Sequence, residues 1–153
     1  MKMRKWLLLL VMAALPGVAG AVPAGLVVRD AWTYAPPPGG RNAAVFATIV
    51  NTASTDDTLL SATTPAAKIT ELHTMIMNDD GVMRMRHAKT LTVPAQSVLQ
   101  FAPGGNHVML MGLVPRVYGK PGDSFPLRLT FRQAGEQTVM VKVRSRGVQP
   151  GKK

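Results

Sequence analysis

From residue 26 onward the apolar residues come in short runs rich in Val, Ile, Thr and aromatic side chains, each cut off by Pro, Gly, Asn, Asp or Ser. No stretch of ten or more residues keeps a helical period, whereas several alternate as a half-buried strand does. LVVRDAWTY (26–34) predicts a first strand, ended by the rigid APPPGG turn. AAVFATIVN (43–51) predicts a second, with Val45, Ala47 and Ile49 on one face, closed by the polar cluster NTASTDD. Residues 59–63 and 68–77 follow as strands, then Asn78-Asp79-Asp80-Gly81, a turn signal between two β-like runs that marks a hairpin. The return strand is expected to run from 82 to 93, and further strands at 97–101 and 107–113 flank the loop Pro103-Gly104-Gly105-Asn106. Residues 114–122 read as a long connection, and 124–131 with 137–144 as a closing hairpin. Nine or so short strands with regular turn punctuation predict an all-β, single-domain antiparallel sandwich or barrel.

The residues before 26 follow a different pattern. Lys2, Arg4 and Lys5 precede an apolar run from Trp6 to about Val18 and the small triplet Ala19-Gly20-Ala21. This is the layout of a secretory signal peptide, expected to be cleaved after Ala21 and too short for a comfortable bilayer span. The expected organisation is therefore a signal peptide at 1–21, one domain at 22–144 and a basic flexible tail at 145–153, in a periplasmic protein without stable membrane insertion. The leader holds three of the 18 basic residues and none of the 8 acidic ones, which leaves a net charge of +7. With few aromatics and no aromatic-interleaved basic stripe, that charge points to acidic protein surfaces or anionic lipid and away from nucleic acid. The carboxylates are dispersed, no Gly-rich phosphate loop follows a strand, and no nucleophile has an evident base, so nothing recommends an enzyme.

Candidate chemistry concentrates between residues 73 and 111. All three histidines lie there, with six of the seven methionines that follow the leader, in the runs HTMIM, MRMRH and HVMLM. In a strand, residues at i, i+2 and i+4 share a face, so each run presents one edge of imidazole and thioether. There is no cysteine, so a soft metal would be held by Met and His alone, which excludes a blue-copper centre. Cu(I) accepts three or four such neutral donors, whereas Mg²⁺ and Ca²⁺ need carboxylate oxygen and Zn²⁺ gains little from thioether. A Met stripe is also an ordinary way to fill a core, and Met77, Met83 and Met111 are expected to do that.

The spacing His73, Met85, then 21 residues to His107-Val108-Met109 resembles the motif of the periplasmic copper chaperones called PCu(A)C. The blocks DAWTYAPPPGGRNAAVFATIVN, TPAAKITELHTM, GVMRMR and GGNHVMLMGL resemble that family's as well. The resemblance implies a cupredoxin-like Greek-key β-sandwich with one Cu(I) per chain on His73, Met85, His107 and Met109, and Met75 as a possible helper. It implies a monomer that delivers copper, usually to the binuclear copper site of cytochrome c oxidase, with an oxidase subunit or a Sco-type protein as partner. Alternatives are copper sequestration or tolerance without an oxidase client, and an exported β-sandwich adhesion or ligand-binding module. Two features depart from the family pattern. Eleven residues, not the usual ten, separate His73 from Met85, which leaves Met83 as a competing central ligand and suggests an extra residue in the 78–81 turn. His87 stands where Pro is common, as an accessory ligand or a surface residue.

Overall fold

The computed structural model describes residues 25–146, so the signal peptide and most of the basic tail lie outside the described residues. The short β-prone runs form ten strands: β1 (Leu26–Tyr34), β2 (Asn42–Asn51), β3 (Asp57–Thr63), β4 (Ala67–Met77), β5 (Met83–Ala88), β6 (Leu91–Val93), β7 (Ser97–Phe101), β8 (His107–Leu113), β9 (Ser124–Phe131) and β10 (Gly135–Arg144). The connection after β8 contains a single helical turn, α1 (Pro115–Tyr118), opened by a proline where its missing N–H costs nothing.

The strands follow the order β5-β4-β8-β2-β1-β10-β9-β3-β6, with β7 pairing the other half of the β2 edge that β8 uses. The sheet wraps round one core without closing: β3 lies against β4, and β6 against β7, with no ladder between them. Strand β1 joins the two walls, antiparallel to β2 and parallel to β10. Its register slips between Arg29 and Trp32, where Asp30 adopts a φ of 55°. Such a bulge inserts one unpaired residue and bends the strand, which lets β1 serve both walls.

The core confirms the predicted face of β2. Val45, Ala47 and Ile49 are buried against Val108 and Leu110 of β8, the alternating Phe125, Leu127, Leu129 and Phe131 of β9, and Val141 and Val143 of β10. One expectation needs correction. The return strand predicted over 82–93 is two strands, because its first half pairs β4 while its second crosses to pair β3. The 114–122 segment is the predicted connection and carries α1, which buries Tyr118, whose hydroxyl donates to the Tyr34 carbonyl at 2.6 Å and lies 2.8 Å from the Thr33 hydroxyl. Burial pushes the Tyr118 hydroxyl above its ordinary pKa, with the Thr33 hydrogen bond opposing. The contact fixes the end of β1 beside β2, at the margin of the cavity described next.

Candidate metal centre

Register decides which side chains of the three His/Met runs can meet. In the β4–β5 ladder His73 faces His87, Met75 faces Met85 and Met77 faces Met83. In the β4–β8 ladder His73 faces His107, Glu71 faces Met109 and Ile69 faces Met111. Directly opposed residues project to the same side of a sheet. All three runs therefore present their His and Met on one face of β5-β4-β8, the face away from Leu72, Val108 and Leu110 in the core.

The β4–β5 register runs unbroken from Leu72↔Ala88 to Met77↔Met83. The extra residue between His73 and Met85 is thus confined to the loop, where Asn78 closes the turn: its carbonyl accepts from Gly81 N, its N–H donates to the Val82 carbonyl, and its side-chain oxygen accepts from Val82 N at 2.7 Å. No bulge displaces Met85, which sits one step diagonally from His73.

The two central histidines are held in complementary ways. His107 is 4% exposed and donates from Nδ1 to the Gly105 carbonyl at 3.0 Å. His73 donates from Nε2 to the Glu71 carboxylate at 2.9 Å. Each ring therefore keeps its lone pair on the other nitrogen, and these two atoms, His73 Nδ1 and His107 Nε2, are buried without a hydrogen-bond partner among the described residues. Native interiors rarely leave polar atoms so, because each costs about 1–3 kcal/mol of desolvation that no partner recovers. The rings lie 5.4 Å apart, centroid to centroid, nearly edge to face. Imidazoles that ligate a metal commonly donate their second nitrogen to a carboxylate or backbone carbonyl, as both do here.

Met75, Met85, His107 and Met109 line one cavity of about 720 Å³, walled on the far side by Tyr34 and Phe46. His73 sits beside it, against His107. Met85 is half exposed, so its sulfur has a solvent-side approach. Met83 and Met77 lie further along the hairpin toward the turn, and both are exposed. The expectation that they are packing therefore fails: this end of the hairpin projects past the core. Met111 is only partly buried, opposite Ile69. His87 is exposed, its ring 6.1 Å from that of His73. As the side chains stand, no three His, Asp or Glu groups converge on one point among the described residues. The arrangement offers two neutral nitrogen lone pairs beside a thioether-lined cavity, a donor set suited to a soft cation and poor for hard ones.

Two contributors escaped the sequence reading. Glu71 shares the His73 face by parity alone, which was available from TELH. Phe46 is buried on the side of β2 opposite Val45 and lies between Trp32 and His107, at 4.8 and 6.3 Å, so rings from β1, β2, β8 and β4 form a continuous row.

The architecture is that of the PCuAC domains. The apo PCuAC domain from PmoF1 matches with a TM-score of 0.69 at 24% identity over 80% of this chain and 95% of that one. The copper-bound PCuAC domain from PmoF2 matches with 0.68 at 23% identity, over 80% and 94%. The solution structure of Cu(I)-DR1885 from Deinococcus radiodurans matches with 0.64 at 28% identity, over 83% of each chain. At the level of sequence, Lxx21020 of Leifsonia xyli subsp. xyli, a chain named as a lipoprotein, is 34% identical over 121 residues, 78% of this chain and 70% of that one. The model of the LpqE-like lipoprotein family matches residues 26–143, and the chain belongs to that family.

Proposed function

We propose that this protein is an exported copper chaperone that binds one Cu(I) between His73, Met85, His107 and Met109, with Met75 as an auxiliary thioether, and passes it to a copper-accepting protein. The observation that carries this reading is the pair of buried, partnerless nitrogens, His73 Nδ1 and His107 Nε2, on tautomer-fixed rings beside three methionines. A folded domain tolerates that cost where the lone pairs have a ligand to meet. The copper-bound relatives of the same fold indicate which ligand. Met85 is favoured over Met83 because it faces Met75 and shares a cavity with His107 and Met109.

Neutral donors suit transfer as well as binding. A thioether at a half-exposed position can be displaced by an incoming ligand without leaving a charge behind, so copper can move stepwise onto a partner's sulfur or imidazole. The resemblance to PCu(A)C chaperones directs that transfer toward the binuclear copper site of cytochrome c oxidase, directly or beside a Sco-type protein. Export is supported by the leader and by a relative named as a lipoprotein. A lipid joined through cysteine sulfur has no attachment point here, since the 153 residues contain no cysteine.

The test is Cu(I) titration followed by X-ray absorption. One equivalent in mixed nitrogen and sulfur coordination is expected, with Met109→Leu weakening the binding and leaving folding intact because size and apolarity are kept. Loss of stability with unchanged affinity would place Met109 in the packing and remove it from the site. Oxidase activity in a deletion strain at limiting copper separates delivery, where it falls, from storage, where it does not.

A further inference from the structure

Ten large apolar side chains are exposed among the described residues, and five of them, Ile76, Met77, Val82, Met83 and Met85, fall within residues 76–85. Each of the five is between 45% and 64% exposed, at the end of the hairpin that projects past the core. Single apolar residues on a surface need no explanation, whereas a contiguous group of them marks a place where another molecule is received. This group sits on an open sheet edge. Strand β5 pairs β4 on one side and has no neighbour on the other, and Met83 to His87 are all exposed.

The two faces of that edge differ in chemistry. Met83 and Met85 share the face of the copper site, while Arg84 and Arg86, opposite Ile76 and Thr74 on β4, occupy the reverse face. Neither guanidinium has an ion-pair partner among the described residues, and the carboxylates of the hairpin, Asp79 and Asp80, belong to the loop outside the ladder. Like charges directly opposite one another destabilise a strand pair, so two copies of β5 joined antiparallel, with Arg84 of each against Arg86 of the other, repel. Nor does the edge suit an anionic membrane, where binding takes clusters of about 4–8 basic residues. A strand with carboxylates at alternate positions complements it.

We propose that the free edge of β5 is the docking element for the copper-accepting protein, which adds to it an extended segment bearing Asp or Glu opposite Arg84 and Arg86 and a thioether or imidazole opposite Met85. Geometry links docking to transfer. An added strand lies about 4.7–4.9 Å from β5, and a residue directly opposite Met85 places its Cβ about 4.5–5.5 Å away on the copper face. Its donor atom then reaches the ion that Met85 holds. The bond from copper to the Met85 sulfur breaks as the bond to the incoming neutral donor forms, and the oxidation state does not change. The arginines choose the partner, and the methionine between them releases the metal.

This inference rests on the transfer reading above, and the test keeps the two apart. The probe is a short capped peptide alternating Glu with Val around one central Met, with a Lys-for-Glu counterpart as control. Each is titrated into the isotopically labelled, leader-free protein without metal and into Arg84→Glu/Arg86→Glu, with nuclear magnetic resonance locating the contacts. Expected are intermolecular backbone contacts confined to residues 83–88. In the variant, Glu-peptide affinity should fall at least ~10-fold and Lys-peptide affinity rise, as two cross-strand pairs turn from attraction to repulsion. Both arginines lie on the face away from the copper site, so Cu(I) affinity by chelator competition and the circular dichroism spectrum should match the parent. No binding of the Glu peptide, contacts on another element, equal affinity in parent and variant, or tighter binding of phosphatidylglycerol vesicles than of the Glu peptide through residues 83–88 would overturn the inference. Pairing is read in the metal-free protein, so failure to bind Cu(I) would remove the copper reading and leave the docking of an acidic strand standing.

Discussion

Removal of the Glu71 carboxylate tests whether the centre depends on its supporting contacts. Glu71 accepts the Nε2 proton of His73 at 2.9 Å, which fixes the ring rotation and leaves Nδ1 as the buried, unpartnered lone pair. Loss of such a partner typically lowers metal affinity by about 10–100-fold. The Glu71 side chain is 34% exposed, so water partly replaces it and screens its charge, which places the expected loss for Glu71→Ala near the lower bound, about 10-fold or ~1.4 kcal/mol. Glu71→Gln keeps an acceptor oxygen without the charge. Neutral hydrogen bonds have roughly half the strength of charge-assisted ones, so about threefold is expected. Competition against a chromophoric Cu(I) chelator resolves both steps, and X-ray absorption reports whether the first coordination sphere survives. The thermal midpoint should hardly move in either variant, because the contact lies at the surface of the sheet. Wild-type affinity in Glu71→Ala would show that His73 is oriented by packing alone, and equal losses in the two variants would show that the carboxylate charge, not the acceptor oxygen, is what the ring requires.

Two further perturbations address the frame around the site. Asp57 is buried and accepts from the backbone amides of Thr58, Gln133 and Ala134, tying β3 to the β9–β10 turn. Burial raises its pKa, but these amides, with that of Arg132, outweigh burial and hold it below the ordinary carboxylate value. A depressed pKa stabilises the fold above the unfolded value and loses that contribution as pH falls through the folded one. Asp57→Asn should therefore cost about 1–3 kcal/mol at neutral pH in urea denaturation, and the gap to the parent should narrow below about pH 4. A gap that stays constant with pH would refute the assignment. Deletion of Asp79 shortens the 78–82 loop and leaves every pair of the β4–β5 ladder available, so Cu(I) affinity should be retained; a large loss would mean that the loop, not the ladder, sets the register.

Much of this was legible because strand punctuation is local. Pro, Gly and Asx clusters mark the ends of most strands, and the period of two predicted which His and Met share a face. What the residues could not reveal was pairing. HAKTLTV is uniformly β-prone, and only the separate partners of its halves, β4 and β3, divide it near Lys89-Thr90. The β1 bulge was equally hidden, since Asp30 at positive φ is tolerated but not announced. Met77 and Met83 read as core because Met stripes usually are; their exposure follows from a hairpin that outruns the sandwich. Glu71 was overlooked because a soft metal does not call for a carboxylate, whereas its contact is with the His73 ring.

Strand β5 ends the sheet and is held by a single ladder and a short loop. An ion shared by Met85 on β5 and His107 on β8 would reach across β4 and clasp the outermost strand to the third one in. Fraying of an edge strand is among the fastest backbone motions in a sheet. Copper loading should therefore slow amide exchange along residues 83–88 more than elsewhere, and the lifetime of the bound ion should track how often that edge lets go. In such a carrier, handover would follow the opening of one six-residue strand.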